Sequence, residues 1–149
     1  MDSRIFYEYG TYGVSEKAIY EGIRSNMPGR IDGPADAYRH ILLAAELTRV
    51  RGEYDARTLL WFHEVTGDLD KQAPDARAMD EYNNELGINI GKTAKSWEEV
   101  VARSRDLIKL DGSGAAWLTE NRWQINPLDY DTPQKEDRIP RRNLLGHEP

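Results

Sequence analysis

The segment from Pro34 to Gly52 has a proline where a helix can begin and a glycine where one can end. Between them Ala37, Ile41, Ala44, Leu47 and Thr48 recur at helical spacing and fall on one side. A strand needs alternation in steps of two, and no clean alternation occurs anywhere in the chain. The long helix predicted over 34–51 therefore sets the terms for everything around it.

The other periodic segments read the same way. Ser15 is a plausible cap for a helix over Glu16 to about Asn26, with Ile19, Tyr20 and Ile23 as its apolar stripe. A third helix runs from about Tyr54 to Val65, ended by Gly67, with Ala56, Leu59, Leu60 and His63 sharing a face. Asp75 opens a fourth through about Leu86, and Gly87 supplies its stop. Ser96-Trp-Glu-Glu99 has capping-box spacing and opens a fifth to about Leu110, with Trp97, Val100, Val101, Leu107 and Ile108 inward. Ala115 to Trp123 permits one more short helix. The expected fold is all-α, a single bundle of about five helices. An irregular lead-in precedes the bundle. The helical domain spans residues 1–125, and 126–149, with Pro127, Pro133 and Pro140, form an extended tail packed on it.

The totals narrow the functional classes. At 149 residues the chain can bury a core of its own, and its net charge of −6 makes nucleic acid a less comfortable partner. The basic residues Arg138, Arg141 and Arg142 still offer a local phosphate contact. With no cysteine, disulfides, thiolate metal sites and cysteine catalysis are excluded. No apolar run approaches the roughly 20 residues that span a bilayer. The first residues lack the regions of a signal peptide, so a cytoplasmic protein as synthesised is expected, exported if at all by a secretion or phage machine.

Three polar clusters interrupt the helical pattern. Asp36 lies four residues before His40, so both project from one helix face. A carboxylate there can fix the imidazole tautomer and raise its basicity, as general-base chemistry and metal ligation both require. It can equally be a first-turn acid favoured by the helix dipole and bonded to an ordinary core histidine. His63 should point inward, while Glu64 diverges from it by about 100°; the second histidine of a zinc-protease motif is absent, since Gly67 stands there. Asp80, Asn83, Asn84 and Gly87 form a polar stripe opposite an apolar one of Met79, Tyr82 and Leu86. Solvent exposure would explain that stripe; amides orienting a ligand, a water or the histidines would explain it too. Arg39 faces away from His40, which suits a salt bridge to a neighbouring helix, or a phosphate or carboxylate if it enters the pocket. His147 reads as solvated tail. Trp61, Trp97, Trp117 and Trp123 are most economically core or tail-docking anchors, with sugar stacking as the other reading.

Asp36-Ala-Tyr-Arg-His40, His63-Glu64 and Met79-Asp80-x2-Asn83-Asn84-x2-Gly87, in that order, resemble an uncharacterised helical domain at the C-termini of bacterial polymorphic toxins of the wall-associated-protein type. The likeness spans about Pro34 to Gly91, and Phe62 stands where that pattern has a small residue. It implies a toxin or effector activity, with a partner or immunity protein. The leading expectation is a small hydrolase. His40 serves as general base or metal ligand, Asp36 as its orienting partner, and His63 as a second imidazole. Glu64 and Asp80 are acidic participants, and Asn83, Asn84 and Arg39 contact substrate. A divalent ion, zinc or manganese, suits Asp36, His40, His63 and Asp80, and metal-free acid–base chemistry is equally open. The contrasting expectation is a non-catalytic phage or secretion-system interaction protein whose histidine–carboxylate pairs specify packing.

Overall fold

A single helix, Pro34–Arg51, runs through the middle of the molecule and touches every other helix described. In chain order the five helices among the described residues are α1 (Tyr12–Arg24), α2 (Pro34–Arg51), α3 (Glu53–Leu69), α4 (Pro74–Gly91) and α5 (Trp97–Asp106). The computed structural model describes residues 12–29, 32–69, 74–109 and 113–118. The lead-in before residue 12 and the tail expected over 126–149 lie outside them. So do the side chains of 63–69 and 74–76.

The one-sided stripe expected on α2 is a partial description. From Pro34 to Thr48 every residue but Arg39 is buried, including Ala35, Tyr38, Leu42, Leu43 and Ala45. A helix buried on every side lies in the centre of a bundle, and α2 does so, with α1, α3, α4 and α5 packed around it.

The closest of these contacts is with α4, and it corrects a boundary. Gly87 does not stop the fourth helix, which continues to Gly91. A Cβ at Gly87 would lie 2.5 Å from the Ile41 carbonyl oxygen and 2.7 Å from Ala44 Cβ, and one at Gly91 would collide with the Ala45 carbonyl. These glycines, four apart, let two backbones touch where any side chain would hold them off. Gly67 likewise lies inside α3, which runs on to Leu69.

Small residues also decide α1. It starts at Tyr12, ahead of the expected Ser15 cap, and buries Val14, Ala18 and Gly22. The expected stripe faces outward, with Ile19 at 44%, Tyr20 at 63% and Ile23 at 44% exposure. The short side chains bring α1 down onto α2, where Glu46, fully buried, receives Lys17 at 3.0 Å and Arg49 at 2.5 and 2.9 Å.

Helix α5 is capped as expected. Ser96 Oγ accepts from the Glu99 amide at 3.1 Å, while the Glu99 carboxylate reaches back to the Lys95 amide. It ends at Asp106, short of Leu110, because the Leu107 carbonyl accepts from the Ala115 amide of the returning chain at 2.7 Å. Residues 115–118 are not helical as anticipated. They form an extended strap with Ala115, Ala116, Trp117 and Leu118 all buried. Of the tryptophans, Trp117 is core, but Trp61 is 61% exposed and anchors nothing among the described residues.

Candidate functional site

The site is assembled where the N-terminal half of α2 meets the middle of α4. The chain enters α2 through a turn in which Asp32 adopts a left-handed conformation, φ 66°. Gly33 caps the helix without a side-chain bond, and the Pro28 and Gly29 carbonyls take the first free amides. Asp36, in the first turn, accepts from the Asp32 amide at 2.9 Å through Oδ2. That bond fixes the carboxylate against the turn entering the helix. It uses only one of the two carboxylate oxygens.

The other oxygen faces His40. His40 Nε2 lies 3.3 Å from Asp36 Oδ1 and 3.3 Å from Asp80 Oδ1, the latter arriving from α4. The three residues are buried, each exposing 4% or less. The stripe of Asp80, Asn83, Asn84 and Gly87 thus faces inward, while Tyr82 of the expected apolar stripe is turned out. Met79 of that stripe is itself buried and Leu86 packs against the core, so both stripes face inward apart from Tyr82; the Gly87 contact presses the polar residues that share its face against α2.

Arg39 joins the group by an unexpected route. Its guanidinium does not cross to another helix but bends back along α2, with NH2 2.6 Å from Asp36 Oδ1 and 3.3 Å from His40 Nε2. Two carboxylates and two cationic groups therefore balance. Burial alone would push the imidazole pKa down. The Asp80 and Asp36 charges outweigh that and, against Arg39, hold it up at about 9. Burial likewise pushes Asp36 up, and the charges of His40 and Arg39 win, leaving it well below the carboxylate range. The two carboxyl groups thus favour the protonated form of His40.

The remaining candidates divide. Asn83 gives its whole amide to the strap: Nδ2 donates to the Ala116 carbonyl at 2.8 Å and Oδ1 accepts from the Ala116 amide at 3.0 Å. The Leu118 amide donates to the Asp32 carbonyl at 2.8 Å, so the strap ties the start of α2 to α4 beside the cluster. Asn84 is buried on the wall of a recess between α3 and α4. His63 and Glu64 fall on α3, and their side chains lie outside the described residues. The strap and the role of Arg39 were not foreseen. Glycines at 87 and 91, one turn apart and in line with Asp80 and Asn83, were the legible signal that this face of α4 is buried.

Chemically, the group can hold a cation. Asp36, His40 and Asp80 each offer one ligand atom, and these atoms lie within 4.8 Å of one another. No helix among the described residues is long and apolar enough to cross a membrane. No curated protein and no solved structure matches the chain. A family profile does, over residues 3–110, which takes in all five helices and the whole Asp–His–Asp cluster, and by that match the chain belongs to the family described as a domain of unknown function, DUF6973.

Proposed function

We propose that this domain is a metal-dependent hydrolase of the effector type, centred on Asp36, His40 and Asp80. The spacing around His40 Nε2 carries the reading. A charge-assisted hydrogen bond closes to about 2.7–2.9 Å, and both carboxylate oxygens stop at 3.3 Å. Ligands about 2.0–2.1 Å from a tetrahedral ion sit about 3.3 Å apart, so the two edges fit a zinc-like centre better than a closed ion pair. Zinc suits this spacing better than manganese, whose octahedral shell brings neighbouring ligands closer together.

An open coordination position is what hydrolysis needs. Structural zinc sites close all four positions with protein ligands, whereas catalytic ones keep a position for water. Three ligand atoms converge here among the described residues. A bound divalent ion would supply a hydroxide-like nucleophile at neutral pH. The chain's own residues do the rest. Asp32, through its amide, fixes the Asp36 carboxylate; Asp36, His40 and Asp80 would hold the ion, His40 losing its proton to solvent, and Arg39, now 2.6 Å from Asp36, would stand beside the centre as an anion contact. His63 and Glu64, one helix away, are assigned as second imidazole and acid.

Effector character, delivery out of the producing cell and a neutralising partner follow from the likeness of the three polar blocks to polymorphic-toxin termini. Expression in the bacterial cytoplasm, with and without an export signal, tests them: growth arrest in one compartment, abolished by His40→Ala and by His63→Ala, is expected. Growth unaffected in both would count against the effector reading.

A second reading has its own observation. Arg39 NH2 already sits 2.6 Å from Asp36, so the cluster is charge-balanced without an ion. On that reading the domain is a non-catalytic interaction module, and the network sets how α2 and α4 pair. Purified protein without a stoichiometric ion would favour it.

A further inference from the structure

Beside the cluster, α3 and α4 border an open recess of about 310 Å³, at the lower end of the size range of small-ligand sites. Trp61 stands on one side of it, 61% exposed, opposite Arg77, Glu81 and Glu85 on α4, with Arg57 alongside Trp61 and Asn84 in the wall. An indole left this open to water forgoes the burial that usually holds a tryptophan in place, and here it borders a built recess.

We propose that this recess binds a neutral carbohydrate, with Trp61 as the stacking platform. The charges decide the ligand class. Arg57 is held by Glu53 at 2.9 Å and by both oxygens of Glu85, and Arg77 by Glu81 at 2.9 Å. Each cation of the recess is already paired with a carboxylate, two against two. A phosphate or nucleic-acid strand would meet Glu81 and Glu85 and would have to break these pairs. A hydroxyl-rich neutral ligand needs neither. Paired guanidinium and carboxylate groups retain donors and acceptors for hydroxyls. The C–H face of a sugar ring packs on an indole by dispersion, with its hydrogens toward the negative face of the ring.

Asn84 lies one helical turn from Asp80, so the recess adjoins the proposed catalytic centre. Read with the hydrolase proposal, it would be the substrate-recognition part of a glycan-cleaving effector. Sugar binding itself does not require the metal, which keeps the two ideas separable.

The test is titration of metal-free protein with chitotetraose, cellotetraose and maltotetraose, followed by tryptophan fluorescence and calorimetry, with an octathymidylate as the anionic probe. Saturable binding of at least one neutral oligosaccharide is expected, weakened about tenfold or more by Trp61→Ala and unchanged by the conservative Trp61→Phe to within about threefold. Trp61 is exposed, so its replacement leaves the core intact. No binding of any of the three sugars, binding indifferent to Trp61→Ala, or preference for the octathymidylate would each overturn the proposal. Failure of metal binding alone would not.

Discussion

His40 on α2 and Asp80 on α4 meet across the tightest helix contact among the described residues, Nε2 to Oδ1 at 3.3 Å, in a place where both are buried. A few residues further along the same interface, Gly87 lies against the Ile41 and Ala45 backbone. The glycines bring the helices together, and that approach carries Asp80 to the imidazole. Position and chemistry have one cause.

Removing one partner from this group leaves charge without compensation. Asp80→Asn in metal-free protein is expected to cost about 3 kcal/mol, the usual penalty for breaking a buried ion pair. Urea unfolding followed by circular dichroism measures it. A loss of under about 0.5 kcal/mol would place the carboxylate in water instead.

The pH dependence has a definite sign. The His40 pKa rises from 6.5 to about 9 on folding, so its contribution is complete below about 6.5 and is lost as pH climbs through about 9. Asp36 is shifted the opposite way, so its contribution is present above the ordinary carboxylate range and lost as pH falls. Melting temperature of the metal-free protein should therefore decline from pH 7 to pH 10, and decline less in His40→Gln. An unchanged slope in the variant would refute the assignment.

Gly87→Ala should destabilise by more than about 2 kcal/mol, because the new methyl meets backbone that cannot yield. Gly13→Ala, in α1 with nothing among the described residues within 4 Å, should instead stabilise by about 0.5–1 kcal/mol. Thermal melts of the two variants side by side check the contrast.

Much of this was legible in the sequence, and the failures share a cause. The Pro34 and Gly52 boundaries and the Ser96 cap are local signals, and the structure keeps them. Gly67 and Gly87 look like stops, because glycine at a helix end and glycine at a helix crossing are the same letter. Ile19, Tyr20 and Ile23 look like a core stripe because hydrophobicity is visible and the fit of Val14, Ala18 and Gly22 against α2 is not. For the site, the Asp36–His40 spacing was readable within one helix. That Asp80 would complete it required the α2–α4 register, and that Asn83 would bind the strap required knowing where residue 116 returns.

The strap supplies a further check. Asn83→Ala removes both bonds to Ala116, so the segment 113–118 should open more often while the bundle stays folded. Limited proteolysis is expected to cut there at least several-fold faster, with helicity by circular dichroism within a few per cent of the parent. Equal cleavage rates would show that burial of Trp117 alone secures the strap.

The most direct measurement is zinc titration of chelator-stripped protein by calorimetry in two buffers of different ionisation enthalpy, with metal content read by mass spectrometry. One ion per chain is expected, with net proton release because the His40 imidazolium must deprotonate, affinity that tightens as pH rises, and loss of binding in both Asp80→Asn and His40→Ala. No stoichiometric zinc, or zinc bound equally well by those variants, would contradict the metal centre and leave Arg39 as the cluster's own cation.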